Sequence, residues 1–135
     1  MGFEELEHTA DLRLRVRGAT LDEVFAEAGR AIFRGMYGPC KDGGVEQTIE
    51  LEAENLEALL FDYLSELLFI TDVENVVFCT FDVNIQGTRL TAVLRGEPFD
   101  PDRHAGGTLI KGVSYSGLEI RRDKDGYVVE IIFDV

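Results

Sequence analysis

At 135 residues the chain is the size of one domain around one core. A hydrophobic content of 45% is enough to build that core and too high for a disordered polymer. Its 26 acids against 13 bases leave a net charge of −13. Such a surface repels phosphate backbones, argues against tight direct binding of nucleic acid, and favours basic protein partners. No apolar run reaches the roughly 18–20 residues of a membrane span, so no membrane association is expected. The start, Met1-Gly2-Phe3-Glu4-Glu5, lacks the basic and apolar regions of a secretory signal. Cys40 and Cys79 stand alone with no CxxC spacing, and read as reduced thiols of a cytoplasmic protein.

The first clear element is a half-buried strand, in which Leu12, Leu14 and Val16 alternate with Arg13, Arg15 and Arg17. Gly18 ends it. Thr20 and Glu23 form a capping box, and the helical spacing of Leu21, Val24, Phe25, Ala28, Ile32 and Met36 follows until Gly38-Pro39 stops it. After a Gly43-Gly44 turn, Ile49 and Leu51 alternate with Glu46, Thr48, Glu50 and Glu52 in a second strand. Asn55 caps the next helix. Its stripe of Leu56, Leu59, Leu60, Tyr63, Leu64, Leu67 and Leu68 makes it the main core filler, with Glu57, Asp62, Ser65 and Glu66 on its back. Strands 76–83 and 90–94 flank a Gln86-Gly87 hairpin turn. A polar loop with two prolines covers 96–104. Strands are expected over 108–115 and 118–122, and Asp123-Lys124-Asp125-Gly126 turns into a last strand, 128–133. Two main helices among meander-connected strands predict a single α+β domain over 1–135 with a largely antiparallel β-sheet.

Chemistry-bearing motifs are few, and no catalytic residue emerges. Gly106-Gly107 lacks the Lys-Ser/Thr of a phosphate loop, there is no GxSxG, and neither cysteine is paired with a histidine at suggestive spacing. Asp123-Lys124-Asp125-Gly126 has its glycine at the fourth place rather than the sixth of a calcium loop, and reads as a hairpin turn. The stripe Arg13, Arg15 and Arg17 could contact phosphate, but reads rather as cross-strand pairing with the Glu46, Glu50 and Glu52 face, or as simple solvation. His8 and His104 are the only histidines. Each alone is more often a surface or capping residue than a ligand. Lys111, within the apolar run 109–113, is costly unless its amine meets an acid.

The chain ends suggest one constellation. The final strand stays apolar until Asp134, followed by Val135, and such an end reads as tied down rather than frayed. Asp11 stands at the edge of the first strand, after His8-Thr9-Ala10. If the fold joins these ends, Asp11, Asp134 and the Val135 carboxylate make an all-oxygen cluster, the set preferred by hard cations such as Ca²⁺ or Mg²⁺.

Five motifs in register then resemble one family, the archeases. They are His8-Thr9-Ala10-Asp11 before a strand, Gly18 and a capped helix; the leucine-rich run 59–68; Gly96-Glu97-Pro98-Phe99-Asp100 with Arg103-His104; Ile110-Lys111-Gly112-Val113-Ser114-Tyr115; and the final Asp134-Val135. The resemblance spans essentially the whole chain. It implies a non-catalytic accessory protein that activates an RtcB-type RNA ligase in tRNA splicing and RNA repair, promoting ligase guanylylation and multiple turnover. It also implies a chaperone-like role toward a tRNA cytosine-5 methyltransferase. By the same resemblance, Asp11, Asp134 and Val135 are metal ligands, with Ca²⁺ favoured over Mg²⁺ or Mn²⁺, and Lys111 is functional. His8 and His104 are further candidates. Where the family often has Thr-Tyr-His after this lysine strand, this chain has Ser114-Tyr115-Ser116. A metal-dependent phosphohydrolase using the same carboxylates is the competing reading, against which stands the lack of an evident nucleophile or second metal set.

Overall fold

The computed structural model describes residues 2–6 and 11–135. Eight strands and three helices follow in the order β1 (Gly2–Leu6), β2 (Leu12–Gly18), α1 (Leu21–Tyr37), β3 (Val45–Glu52), α2 (Leu56–Glu74), β4 (Val76–Gln86), β5 (Arg89–Pro98), α3 (Pro101–His104), β6 (Gly112–Val113), β7 (Ile120–Asp123) and β8 (Gly126–Asp134). All strand pairings are antiparallel. The α+β class is as the patterning predicts, but the strands form two sheets rather than one. The first runs β1-β2-β8-β6, with β7 also on β8; the second runs β3-β5-β4.

Local chemistry sets the helix boundaries. Thr20 Oγ1 accepts from the Glu23 N–H at 3.2 Å, while the Glu23 carboxylate accepts from the Ala19 N–H at 2.7 Å. One of the donors that a helix start leaves unpaired, the Glu23 N–H, is thereby used, and the N–H just before the cap is held as well. Asn55 Oδ1 caps α2 through the Ala58 N–H at 2.8 Å. The α2 stripe is buried as its spacing requires, with Leu59, Leu60, Tyr63, Leu64 and Leu67 fully inside. Each such side chain contributes about 1.5–3 kcal/mol by leaving water. Aromatic contacts knit the helices and β4 together: Phe25 on Tyr63 at 5.8 Å, and Phe33 on Phe78 at 5.6 Å and on Phe81 at 5.5 Å.

Phe78 and Phe81 are three apart in one strand yet both buried, which strict alternation forbids. A bulge at Cys79 resolves this, because Phe78 pairs with Gly96 and Thr80 with Arg95, leaving Cys79 as the extra residue. The same bulge places Cys79 beside Cys40, and a disulfide joins them, with Cα atoms 5.6 Å apart. The expectation of reduced thiols is thus corrected. The helix reversal at Gly38 (φ 73°) brings Cys40 across to β4, and a separation of 39 residues carries no trace of that approach.

Three further expectations are revised. Two of the three β2 arginines, Arg15 and Arg17, find acids across the sheet, but not those of β3, which lies in the other sheet. Arg15 pairs with Glu4 at 3.0 Å and Glu130 at 3.4 Å, and Arg17 with Asp123 at 3.5 Å. Glu46 and Glu52 pair with Arg95 and Arg89 on β5. Residues 108–115 are not one strand. The segment is pinned across the end of α1, where the Thr108 N–H donates to the Gly35 carbonyl at 3.0 Å, and only Gly112 and Val113 join β8. Gly107 permits the crossing, since a Cβ there would collide with the Met36 carbonyl. Finally, β1 was not anticipated, although its antiparallel pairing with β2 is regular.

Candidate functional site

Two polar regions differ in how their charges are satisfied. The first lies where β5 runs into α3. Glu97 is buried, at 5% exposure, and its carboxylate takes four donors. Arg103 grips it with two guanidinium N–H groups, one of them at 3.2 Å on Oε2. The Lys41 N–H reaches Oε2 at 2.8 Å, and His104 Nε2 at 3.1 Å. His104 Nδ1 accepts from the Asp100 N–H at 2.9 Å, so its proton sits on Nε2, donated to Glu97. Arg103, the Lys41 N–H and His104 together outweigh burial and hold the Glu97 carboxyl down to about 2. Close packing is needed here as well, because a Cβ on Gly96 would overlap the Val77 carbonyl oxygen.

This region also contains the one group of three metal-ligating side chains found among the described residues, Cys40, Cys79 and Glu97, with donor atoms within 4.8 Å of one another. Its chemistry is already spent. The sulfurs are bonded to each other, and the Glu97 oxygens are taken up by Arg103, His104 and Lys41. We read it as a structural clasp. His104, a candidate from the sequence, belongs to this clasp at 1% exposure, with Phe99 and Tyr37 against its ring. Glu97 was not singled out as functional or structural from sequence; its place between Gly96 and Arg103-His104 was the available signal.

The second region is the far end of β2 and β8. Leu12 pairs with Phe133, so one further step along the antiparallel register sets Asp11 across from Asp134. Gly112 pairs with Asp134 from the other side, and the Lys111 N–H donates to the Asp134 carbonyl at 2.7 Å. Three residues distant in sequence thus meet at one sheet end: Asp11 half-buried, Lys111 and Asp134 exposed. Val135 follows, 40% exposed. Neither Asp11 nor Asp134 is engaged by its side chain in an ion pair or hydrogen bond with any described residue. His8 lies outside the described residues. Lys111 is not sunk in an apolar strand as its neighbours suggested. It is exposed, its burial cost does not arise, and no described acid pairs with its amine.

Beside this end lies a groove of about 430 Å³ between α2 and residues 109–112, with Met36 and Tyr37 behind it. No helix among the described residues is long and apolar enough to cross a membrane.

The whole chain has known relatives. Residues 3–135 match the model of the Archease protein family. The protein archease of Methanopyrus kandleri is 35% identical over 141 residues, covering 100% of both chains. Among solved structures, the solution structure of Methanobacterium thermoautotrophicum protein 1598 superposes with a TM-score of 0.86 at 32% identity, covering 99% of each chain. A Thermotoga maritima crystal structure described as an archease, possible chaperone, shares the fold with a TM-score of 0.70 at 23% identity over 98% of this chain and 96% of that one. With matching fold, matching length and a family match from the first strand to the last residue, the chain belongs to the archease family.

Proposed function

We propose that this protein is a non-catalytic accessory factor that activates an RtcB-type RNA ligase, promoting its guanylylation and repeated turnover in tRNA splicing and RNA repair in the cytoplasm. The observation that supports this most is the meeting of Asp11, Asp134 and Lys111 at one sheet end, with both carboxylates unengaged by described side chains. Neither carboxylate has a described side-chain partner, so both are open to a cation or to a basic group of a partner. The oxygen-only donor chemistry fits a hard divalent ion, Ca²⁺ in preference to Mg²⁺ or Mn²⁺. Asp11, Asp134 and an oxygen of Val135 would hold it. When bound, such an ion supplies concentrated positive charge that can engage phosphate oxygens.

The chain's own residues do the positioning. The β2–β8 pairing ends at Leu12 and Phe133, so Asp11 and Asp134 are the next residues on the two chains, and the Lys111–Asp134 main-chain bond brings the lysine to the same end. The exposed Lys111 amine is then available to a phosphate or carboxylate of the partner. A surface of net charge −13 speeds encounter with a basic protein more than it tightens the complex.

One preparation tested in three assays separates the readings. The proposal expects faster guanylylation of the ligase, no phosphate release from phosphate esters, and no tight RNA binding by the isolated chain. A second reading, a chaperone-like modulator of a tRNA cytosine-5 methyltransferase, is the other role that the family resemblance implies. It would appear as suppressed methyltransferase aggregation with unchanged ligase guanylylation, a result that overturns the first reading.

A further inference from the structure

The groove between α2 and residues 109–112 carries more exposed apolar surface than the fold needs. Phe69 on α2 is 61% exposed, and Leu109 on the opposite wall 67%. Val73, one helical turn beyond Phe69, is 58% exposed. Large apolar side chains left in water on both walls of one groove mark a surface awaiting a partner. Folding does not explain them, because the neighbouring Ile70 and Ile110 already fill the core side at 4% exposure each.

Charge narrows the occupant. Helix α2 contains no lysine or arginine, and Asp62, Glu66, Asp72 and Glu74 line its outer side. Asp72 lines the groove itself, while Asp62 and Glu66 line the shallow depression adjoining it at Phe69. A second copy of this chain docked through the same face would set acid against acid between two molecules of charge −13. Lys111 is the one base on the groove, and Asp72 with the adjoining Asp62 and Glu66 outnumbers it, so nucleic acid is disfavoured along this rim. The complementary occupant is a protein segment with one or two bulky apolar side chains flanked by lysines or arginines, whose apolar part fits between Phe69 and Leu109 and whose charges meet the rim.

Position then connects the groove to the carboxylate end. Lys111 and Gly112 line the groove and are the residues that bond and pair with Asp134. A segment seated there ends beside Asp11 and Asp134. We propose that this groove captures the ligase through a basic, apolar-anchored segment of that partner, with capture by Phe69 and Leu109 separate from activation by the carboxylate end. The inference rests on the ligase-activator reading above.

The experiment is a titration of ligase guanylylation with the full-length chain, comparing wild type with Phe69→Ser, Leu109→Ser and the double variant. Phe3→Ser, an exposed apolar position on β1, serves as the control. Melting curves check that each variant folds, which their exposure favours. The expected result is a half-maximal concentration raised about tenfold for each groove variant. The plateau rate should be unchanged, and Phe3→Ser should match wild type. Asp72→Lys should shift the midpoint in the same direction. An unshifted midpoint in the double variant, or a reduced plateau with the midpoint intact, overturns the groove assignment while the activator reading stands. Concentration-dependent dimerisation of the wild type that Phe69→Ser abolishes would instead make a second copy the occupant and overturn it too. Wild type with no effect on guanylylation at any concentration removes the activator reading, and this inference with it.

Discussion

The Glu97 clasp and the Asp11–Asp134 end are both rich in charge, yet they are built oppositely. In the clasp every charged oxygen of Glu97 has a protein donor, His104 is bonded through both ring nitrogens, and a disulfide closes the loop beside them. At the strand end two carboxylates and a lysine are gathered by main-chain pairing, and no described side chain engages either carboxylate. The first arrangement has spent its interaction energy on the fold; the second has not. Burial or residue type alone would rank them the other way, since the clasp holds the histidine, the two cysteines and the buried acid.

The largest test of that contrast is the disulfide. Closing a loop across 39 residues removes unfolded-state entropy equivalent to roughly 4 kcal/mol. Reduction, or the double change Cys40→Ser and Cys79→Ser, should lower the denaturation midpoint accordingly in chemical unfolding. Cation binding at the strand end should survive it.

Next comes Glu97. Glu97→Ala strips Lys41, Arg103 and His104 of their shared acceptor, and should cost about 2–3 kcal/mol, read from the same unfolding curves. The pH dependence has a definite sign. Glu97 is held at about 2 in the folded state against an ordinary 4.5. Its contribution is therefore fully present above pH 4.5 and is lost as the pH falls from there toward 2. Wild type should lose stability through that window more steeply than Glu97→Gln, when the two are compared by melting temperature.

The smallest expected effect is at Tyr63. Its hydroxyl is buried with no hydrogen-bond partner among the described residues, and burial pushes the phenol upward. Tyr63→Phe removes an unsatisfied polar atom and keeps the ring against Phe25. Stability should rise by up to about 1 kcal/mol, measured by thermal unfolding. A loss would mean that the hydroxyl has a partner outside the described residues.

How much of this could be read in the chain follows the range of the interactions. Thr20, Glu23 and Asn55 act within a few residues as their local pattern predicts, and the β4–β5 hairpin turns one residue later than expected, at Gly87-Thr88. The α2 stripe needed only periodicity. What escaped depends on partners far along the chain. The Cys79 bulge follows from the need to bury both Phe78 and Phe81, and the disulfide follows from the bulge. The division into two sheets sent Arg15 to Glu4 and Glu130 rather than to the acids of β3. Residues 108–115 look like a strand because they are rich in β-formers, yet Gly107 and the Gly35 carbonyl divert them over α1. For the candidate site, Asp11 and Asp134 were singled out from the chain ends and Lys111 from its apolar run, and the resemblance pointed to the same residues. The Phe69–Leu109 groove was not, because on a helix as apolar as α2 one more exposed phenylalanine looks like core.

The central claim is that the strand end, and not the clasp, is where the protein uses its charge. A calorimetric titration of Ca²⁺, repeated with Mg²⁺ and Mn²⁺, tests this most directly on wild type, Asp11→Asn, Asp134→Asn and Glu97→Gln at pH 7. The account predicts binding heat in wild type, its loss in both aspartate variants with their melting temperatures in ion-free buffer nearly unchanged, and its retention in Glu97→Gln despite a lowered melting temperature. Binding that survives both aspartate changes and disappears with Glu97→Gln would contradict it, and would make the buried clasp the ion site.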